Sequence, residues 1–350
     1  MAHGKREDMV VHQEEPYNAE APRRALAEQQ LTPLDSFYSR NHGAFPRIDP
    51  RTWRLRVDGH VERELDLTLA QLQERFAQHT VVATLQCAGN RRNGFLGIRS
   101  IPDEAPWGSA AISTARWSGV RLNDVLAAAR LTEQAEHVEF LGPDVAQDAR
   151  PPQPYGSSIP VAKATADEVL LAWSMNDQPL PVEHGAPLRV VVPGYVGARS
   201  VKWVHRIRGL ADESDNYFQA VAYRLRGEAI GTVALTCDIL SPDDGEQLIA
   251  GPTSVTGYAL VGEGLDVARV EVSVDAGNNL QEATIDDQVG PWAWRLWWTS
   301  VNLPPGEVQI LARVRDSAGA MQPESAEQLW NPKGYVNNSW AHVHVSSYAV

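Results

Sequence analysis

Cysteine is nearly absent from this chain of 350 residues: there are two, Cys87 and Cys237. They form no C-x-x-C pair, and two cysteines cannot staple a disulfide framework, so a reducing compartment fits. Long apolar runs are also missing. None approaches the roughly 20 residues that a membrane helix needs. Basic residues are outnumbered, 31 Lys and Arg against 44 Asp and Glu, for a formal net charge of -13. Nucleic acid selects basic stripes, so this balance argues against such a partner. It also sets a condition: an anionic substrate would need a site that is locally positive against an acidic background. The first fifteen residues are polar and carry no apolar core of a signal peptide. The pair Arg23-Arg24 is followed by no apolar run, and Tyr348-Ala349-Val350 is no peroxisomal tripeptide. The expectation is a cytoplasmic protein with neither a nucleic-acid nor a membrane partner.

What is present divides into two halves. Up to about residue 230 the pattern is mixed. Thr68 stands as an N-cap before Leu69-Ala70-Gln71-Leu72, and Leu122, Val125 and Leu126 share one face of a helix over residues 121–129. Residues 81–86 form a short apolar run that reads as a buried strand ending at Cys87. Residues 138–141 and 188–192 read as further strands, the second stopped by Pro193-Gly194. From about Gly231 short strands follow one another. Val270, Val272 and Val274 alternate with polar residues, as do Val308, Ile310, Ala312 and Val314, with Leu311 the one exception on the polar face. Turn signals such as Asp275-Ala276-Gly277-Asn278 separate the runs. The expected class is α+β, a mixed α/β unit followed by an immunoglobulin-like β-sandwich. The expected division is a flexible arm over 1–14, a catalytic unit over 15–230 and a sandwich over 231–350.

Chemistry concentrates around Cys87. A lone cysteine at a strand end is most often an inert small hydrophobe. Here it leads into Ala88-Gly89-Asn90-Arg91-Arg92, a turn with two guanidiniums. An electropositive, partly exposed setting would lower the thiol pKa and suit a nucleophile, a redox sensor or a soft metal ligand. Further arginine clusters surround Arg40, Arg189, and Arg199 with Lys202. Guanidinium forks match oxyanions, and neighbouring glycines let backbone amides approach a phosphate. Trp292, Trp294, Trp297 and Trp298 read as sandwich core or dimer interface. His342 and His344 would share a strand face, with no further ligand at zinc spacing.

Thr84-Leu85-Gln86-Cys87-Ala88-Gly89-Asn90-Arg91-Arg92 resembles the molybdenum-cysteine loop of the sulfite oxidase family, which the assimilatory nitrate reductases share. Pro16-Tyr17-Asn18-Ala19-Glu20, the stretch from Phe37 to His42, Tyr155-Gly156-Ser157-Ser158, the block from His184 to Trp203, and Trp330-Asn331-Pro332-Lys333-Gly334 follow the same family in the same order. The layout is closest to the haem-free plant-type enzymes. The resemblance implies a molybdopterin-binding unit joined to a dimerisation sandwich, a molybdenum-molybdopterin cofactor with no haem domain on this chain, and a homodimer.

It also implies roles. Cys87 would ligate the metal. Phe37, Tyr38, Arg40, Asn41, His42, His184, Arg189, Ser200, Val201 and Lys202 would hold the cofactor. Asp148 is the candidate for an acidic cofactor contact. Arg40, Arg92, Trp107 and Tyr155 would line the anion pocket. The family's pocket takes one more arginine from near the start of the second unit, and neither Arg224 nor Arg226 can be matched to it. The implied reaction is oxidation of sulfite to sulfate by oxygen-atom transfer, with oxygen or a cytochrome as electron acceptor. The alternatives are the molybdenum unit of a nitrate reductase and a non-catalytic β-sandwich binding module.

Overall fold

The computed structural model describes residues 2–262 and 264–349. Met1 and Val350, which bound the terminal segments considered above, lie outside the described residues.

The first unit is built from two five-stranded sheets. In one, Gln78–Gln86 pairs with Ile112–Arg121, which pairs with Leu170–Met175; Gln178–Pro179 and Arg189–Val191 both join that last strand. In the other, Arg206–Leu210 lies parallel to Leu55–Gly59 and antiparallel to His137–Ala146, with Leu65–Leu67 and Gln153–Pro160 at the edges. Helices are short; among the described residues the longest α-helix is Leu122–Ala129, with eight residues. Its Leu122, Val125, Leu126 and Ala129 are all buried, the 3–4 spacing of a helix laid on a sheet. Burial of each large apolar side chain contributes about 1.5–3 kcal/mol. The helix Leu69–Arg75 begins with a capping box: Thr68 accepts from the Gln71 amide, and the Gln71 side chain accepts from the Thr68 amide.

The second unit packs two sheets face to face. One holds Thr236–Ser241, Gly251–Leu260, Arg295–Leu303 and Thr284–Ile285. The other holds Glu246–Ile249, Ala341–Tyr348, Gly306–Asp316, Val267–Ser273 and Gln281–Glu282. The alternation seen in the sequence puts Val270, Val272, Val308, Ile310, Ala312 and Val314 into the shared core. Leu311 points to the other face and is buried as well. Trp294 and Trp297 are core residues, while Trp298 is half exposed. His342 and His344 face solvent, and no cluster of metal-ligating side chains occurs among the described residues.

The units are tightly joined. The first unit's core continues into Tyr258, Leu260, Trp294 and Tyr335 of the second half. Arg23 donates to the Ile239 carbonyl, and Arg24 pairs with Asp243 at 3.2 Å and with Glu246. The amino-terminal arm differs from expectation. Val10–Gln13 pairs with Asn18–Glu20, and Lys5 is buried. A polar sequence reads as solvated, but this lysine finds three acceptors inside the fold.

Candidate active site

Gln78–Gln86 carries the chain into the interior and delivers Cys87 at its end. The Cys87 amide donates to the Ala111 carbonyl at 2.9 Å, so the turn starts while still anchored to the neighbouring strand. Asn90 N–H closes back on the Cys87 carbonyl at 3.0 Å, and the Gly89 amide donates to the Cys87 sulfur at 3.4 Å. The thiol is buried, contrary to the exposed setting expected from sequence. Burial pushes its pKa up, and that outweighs the pull of Arg40 and Arg92. A metal would have to displace this proton to take the thiolate.

The two arginines of the turn hold the loop. Arg91 pairs with Asp238 at 2.9 Å and donates to the carbonyls of Ser339 (2.7 Å) and Trp340 (3.0 Å). Arg92 donates to the carbonyls of Lys333 (3.0 Å) and Ala105 (2.8 Å) and pairs with Glu104 at 3.3 Å. Its guanidinium lies beneath Gly89 and over Tyr335, and it lines neither the void beside Cys87 nor the mouth that adjoins it. Trp107 also stands apart from the cavity, fully buried against His12. Two of the four residues expected around the anion therefore lie outside the lining of the void: the Arg92 guanidinium is engaged by carbonyls and Glu104, and the Trp107 ring packs on His12 while its Nε1 is buried with no hydrogen-bond partner among the described residues.

Cys87 opens on a void of about 670 Å³, counting space open to solvent. Phe37, Tyr38, Arg40, Asn41 and His42 form one wall; His184, Arg189, Ser200, Val201 and Lys202 form another; Tyr155 closes a side. Every cofactor-contact candidate except Asp148 lines this void. Asp148 sits outside it, in an adjoining mouth, and Asp144 takes the inner acidic position. The sequence around residues 144–148 offers two aspartates, and only the course of the strand His137–Ala146 decides which faces inward.

The inner end is strongly basic. Arg189 donates to the carbonyls of His184 (2.9 Å) and Ser200 (3.1 Å), with its guanidinium 4.8 Å from the centre of the Trp117 ring. Lys202 donates to Asn41 Oδ1 and to the Glu183 carbonyl at 3.1 Å. Gly185 lies at φ +110, and a Cβ there would come within 3.0 Å of both Arg189 and Lys202, so only glycine lets this turn sit so close. Burial lowers Arg189 to about 10, and burial together with the neighbouring cations takes Lys202 and His184 well below their ordinary values. Burial likewise raises Asp144 to about 7. Cations crowded together out of water, with one weak acid for company, are completed by a bound anion. Ser39 Oγ and Asp144 Oδ1 are buried and have no hydrogen-bond partner among the described residues, and both residues line the void. A soft thiol, unpaired polar atoms and a basic end together fit a metal-bearing heterocycle that carries a phosphate.

Tyr223 was not anticipated, and it lies on the same void. Its hydroxyl donates to His42 Nε2 at 2.7 Å, and His42 Nδ1 donates to Asp148 at 2.8 Å. Burial, and then the charge on Arg40, lower His42 to about 3, so its ring is neutral at ordinary pH. Burial raises Tyr223 to about 12, so it keeps its proton. Although burial opposes it, the bond from His42 holds the Asp148 carboxyl below its usual value. Tyr155, the tyrosine expected here, gives its hydroxyl to the Ala198 carbonyl at 2.8 Å. Nothing in the run Ala220-Val221-Ala222-Tyr223 marks the second tyrosine; a one-turn π-helix over Phe218–Ala222 aims it.

Arg199, one of the clustered arginines, is buried and donates to Ser157, Gln219 and the carbonyls of Ile230 and Tyr223, a framework role. Arg40 lines both the void and the adjoining mouth of about 1,360 Å³. Arg150 and Lys333 line that mouth beside Asp103, Glu104 and Asp148. Arg224 pairs instead with Glu213 at 3.0 Å, and Arg226 lines a separate outer groove. The cation that the second half brings to the mouth is thus Lys333, 3.0 Å from Glu104.

Comparison with known proteins agrees with this geometry. Residues 42–218 match the model of the oxidoreductase molybdopterin binding domain, and residues 228–348 match that of the Mo-co oxidoreductase dimerisation domain. The sulfite oxidase of Gallus gallus is 41% identical over 94% of this chain and 76% of its own length. That of Arabidopsis thaliana is 35% identical over 96% of this chain and 93% of its own. Mammalian mitochondrial sulfite oxidases are longer, and the chain spans 65% of their length. A nitrate reductase of Hordeum vulgare is more distant, 33% identical, with the chain spanning 41% of its length. Among solved structures, the sulfane dehydrogenase SoxCD of Paracoccus pantotrophus superposes with a TM-score of 0.81 over 99% of this chain and 89% of the other, at 28% identity.

Proposed function

The chain belongs to the sulfite oxidase family of molybdopterin-dependent oxidoreductases, and from that premise we propose that it oxidises sulfite to sulfate. One observation carries the reading: a single void holds the Cys87 thiol together with the Arg189, Lys202 and His184 cluster. When bound, a molybdenum-pterin would supply two-electron redox chemistry, with water as the source of the added oxygen. Cys87 gives the thiolate ligand. Arg189, Lys202, His184, Ser200 and Val201 hold the phosphate end, and Asp144, Ser39 and Asn41 offer hydrogen bonds along the heterocycle. We place the boundary between the catalytic and dimerisation units near residue 230, and read the second as an immunoglobulin-like sandwich through which the chain forms a homodimer.

Sulfite and water yield sulfate, two protons and two electrons. The chain's own side chains handle the anion and the protons. The anion arrives through the mouth, where Arg150 and Lys333 offset the acidic surface, and meets Arg40 at the boundary of the two spaces. Tyr223 presents a protonated hydroxyl in the void, oriented by His42. The contacts from Tyr223 to His42 and from His42 to Asp148 lead from the void to a carboxylate that is half exposed, a route by which protons reach solvent. The electron acceptor that regenerates the site is oxygen or a redox protein such as a cytochrome.

The test is turnover by purified holoprotein under anaerobic conditions. Sulfite should reduce the enzyme and nitrate should leave the reduced enzyme unchanged. Reoxidation by nitrate at a comparable rate would favour the nitrate reductase reading. The two tyrosines separate the roles further. Tyr223→Phe removes the hydroxyl that hands protons from the void to His42 and should lower kcat/KM for sulfite about 100-fold, the lower end of what a positioned proton-transfer group contributes. Tyr155→Phe removes a hydroxyl already engaged by a carbonyl and should change kcat/KM less than about threefold, while costing about 1 kcal/mol of stability. Equal kinetic losses in the two variants would contradict this assignment.

A further inference from the structure

Lys5 lies in the amino-terminal arm, outside the residues matched by the molybdopterin-binding family model. It is 1% exposed. Its ammonium donates to the Leu34 carbonyl at 2.6 Å, to the Phe37 carbonyl at 2.8 Å and to His184 Nε2 at 2.7 Å. An ammonium has three protons and no lone pair, so these acceptors use all of its capacity. The same pairing puts the His184 ring proton on Nδ1.

Two of the acceptors, Phe37 and His184, belong to different walls of the void, and Leu34 precedes Phe37 on the same segment. Phe37 begins the wall that runs to His42, and His184 begins the wall that runs to Lys202. These walls are distant in sequence. On the inner side they are tied by Lys202 and Asn41. Lys5 ties them a second time, through the Phe37 carbonyl and His184. Neighbouring contacts hold the arm in place: the Arg6 amide donates to the Asp35 carbonyl at 3.2 Å, and His3 packs on Tyr17 and Phe45 at 4.6 and 5.0 Å. Although buried, the ammonium is lowered only to about 8 and is charged at neutral pH.

We propose that Lys5 is a positioning residue for cofactor retention: it braces the Phe37 wall against His184 and keeps the phosphate end closed. This rests on the void being the molybdopterin site. The brace touches neither substrate nor the metal end, so it should act on the release rate of the cofactor and leave the chemical step alone.

The test compares wild-type holoprotein with Lys5→Met, which keeps the chain length and removes the charge and donors. Molybdenum per protein and pterin released into solution are followed during prolonged dialysis, and sulfite turnover is expressed per bound molybdenum. Release should be about 10- to 100-fold faster in Lys5→Met, the range for losing an outer partner of a ligand, with turnover per molybdenum unchanged. Lys5→Gln, which keeps a donor, should fall between the two, and it carries the comparison if Lys5→Met does not load. Equal release rates in variant and wild type overturn the proposal. So does a fall in turnover per molybdenum that parallels the faster release, since that marks a general loosening of the site. A wild-type protein that binds no molybdenum overturns the functional reading itself, which makes the two failures distinguishable.

Discussion

Cys87→Ser is expected to lose sulfite turnover by more than about 100-fold, since loss of a mere outer partner of a metal ligand already costs about 10- to 100-fold. The reason is ligand softness: a hydroxyl is a hard, weakly acidic donor, and a second-row sulfur cannot be replaced by it at a soft metal. The fold should survive. The sulfur receives one hydrogen bond, from the Gly89 amide, and serine accepts that bond too. The loop is held by Arg91 and Arg92 through carbonyls of the second half, and none of those contacts involves the thiol. Because the phosphate end is separate, the variant should also keep part of its pterin. Metal and pterin analysis beside steady-state kinetics checks all three points. Wild-type turnover by Cys87→Ser would remove the metal-ligand assignment, whereas an unfolded variant would contradict the account of how the loop is anchored.

Lys202→Met should lower cofactor affinity by about 10- to 150-fold, the equivalent of one hydrogen bond to a charged group at about 1.5–3 kcal/mol. Lys202 is preferred to Arg189 here because it supports one backbone carbonyl, that of Glu183, where Arg189 supports two, so its loss mixes less stability into binding. The pH dependence gives a second, independent reading. In the empty site, burial lowers the Lys202 pKa well below its ordinary value, with Arg189 next among the causes. A bound phosphate favours the ammonium and raises it again. Binding therefore takes up a proton, and affinity should weaken as pH rises through the bound-state value.

Stability of the empty protein should move in the opposite direction. The unfolded chain binds the lysine proton that the folded chain releases, so stability rises with pH between the folded and unfolded pKa values. Calorimetry of cofactor binding in buffers of different ionisation enthalpy should show proton uptake in wild type and less in Lys202→Met. Uptake identical in both would mean that another group, such as His184 or Asp144, carries the linkage.

Local signals in the chain were enough for several elements. The Thr68 cap, the 3–4 spacing in Leu122–Ala129 and the alternation through Gly306–Asp316 each depend on neighbours within one or two turns, so a linear reading reaches them. The Cys87 loop and the blocks around Arg40, His184 and Lys202 were legible for a different reason: a cofactor contact set needs several residues in one stretch, and such stretches resemble a family.

Tertiary structure decided the rest, wherever a side chain's role depends on what faces it from far along the chain. Arg92 and Trp107 look like pocket residues beside Cys87, yet Glu104, the Lys333 carbonyl and the packing around His12 turn them away from the void. Asp144 and Asp148 are equivalent in a string of letters, and strand geometry separates them by placing one inside and one at the mouth. Tyr223 and Lys5 carry no local mark at all. Their hydrogen bonds reach partners 181 and 179 residues away, and desolvation, which sets the pKa of each, exists only once the chain has closed around them. The sequence alone thus determined the local elements and the family of the site; only folding, by choosing which polar groups lose water together, determined which residues the site contains.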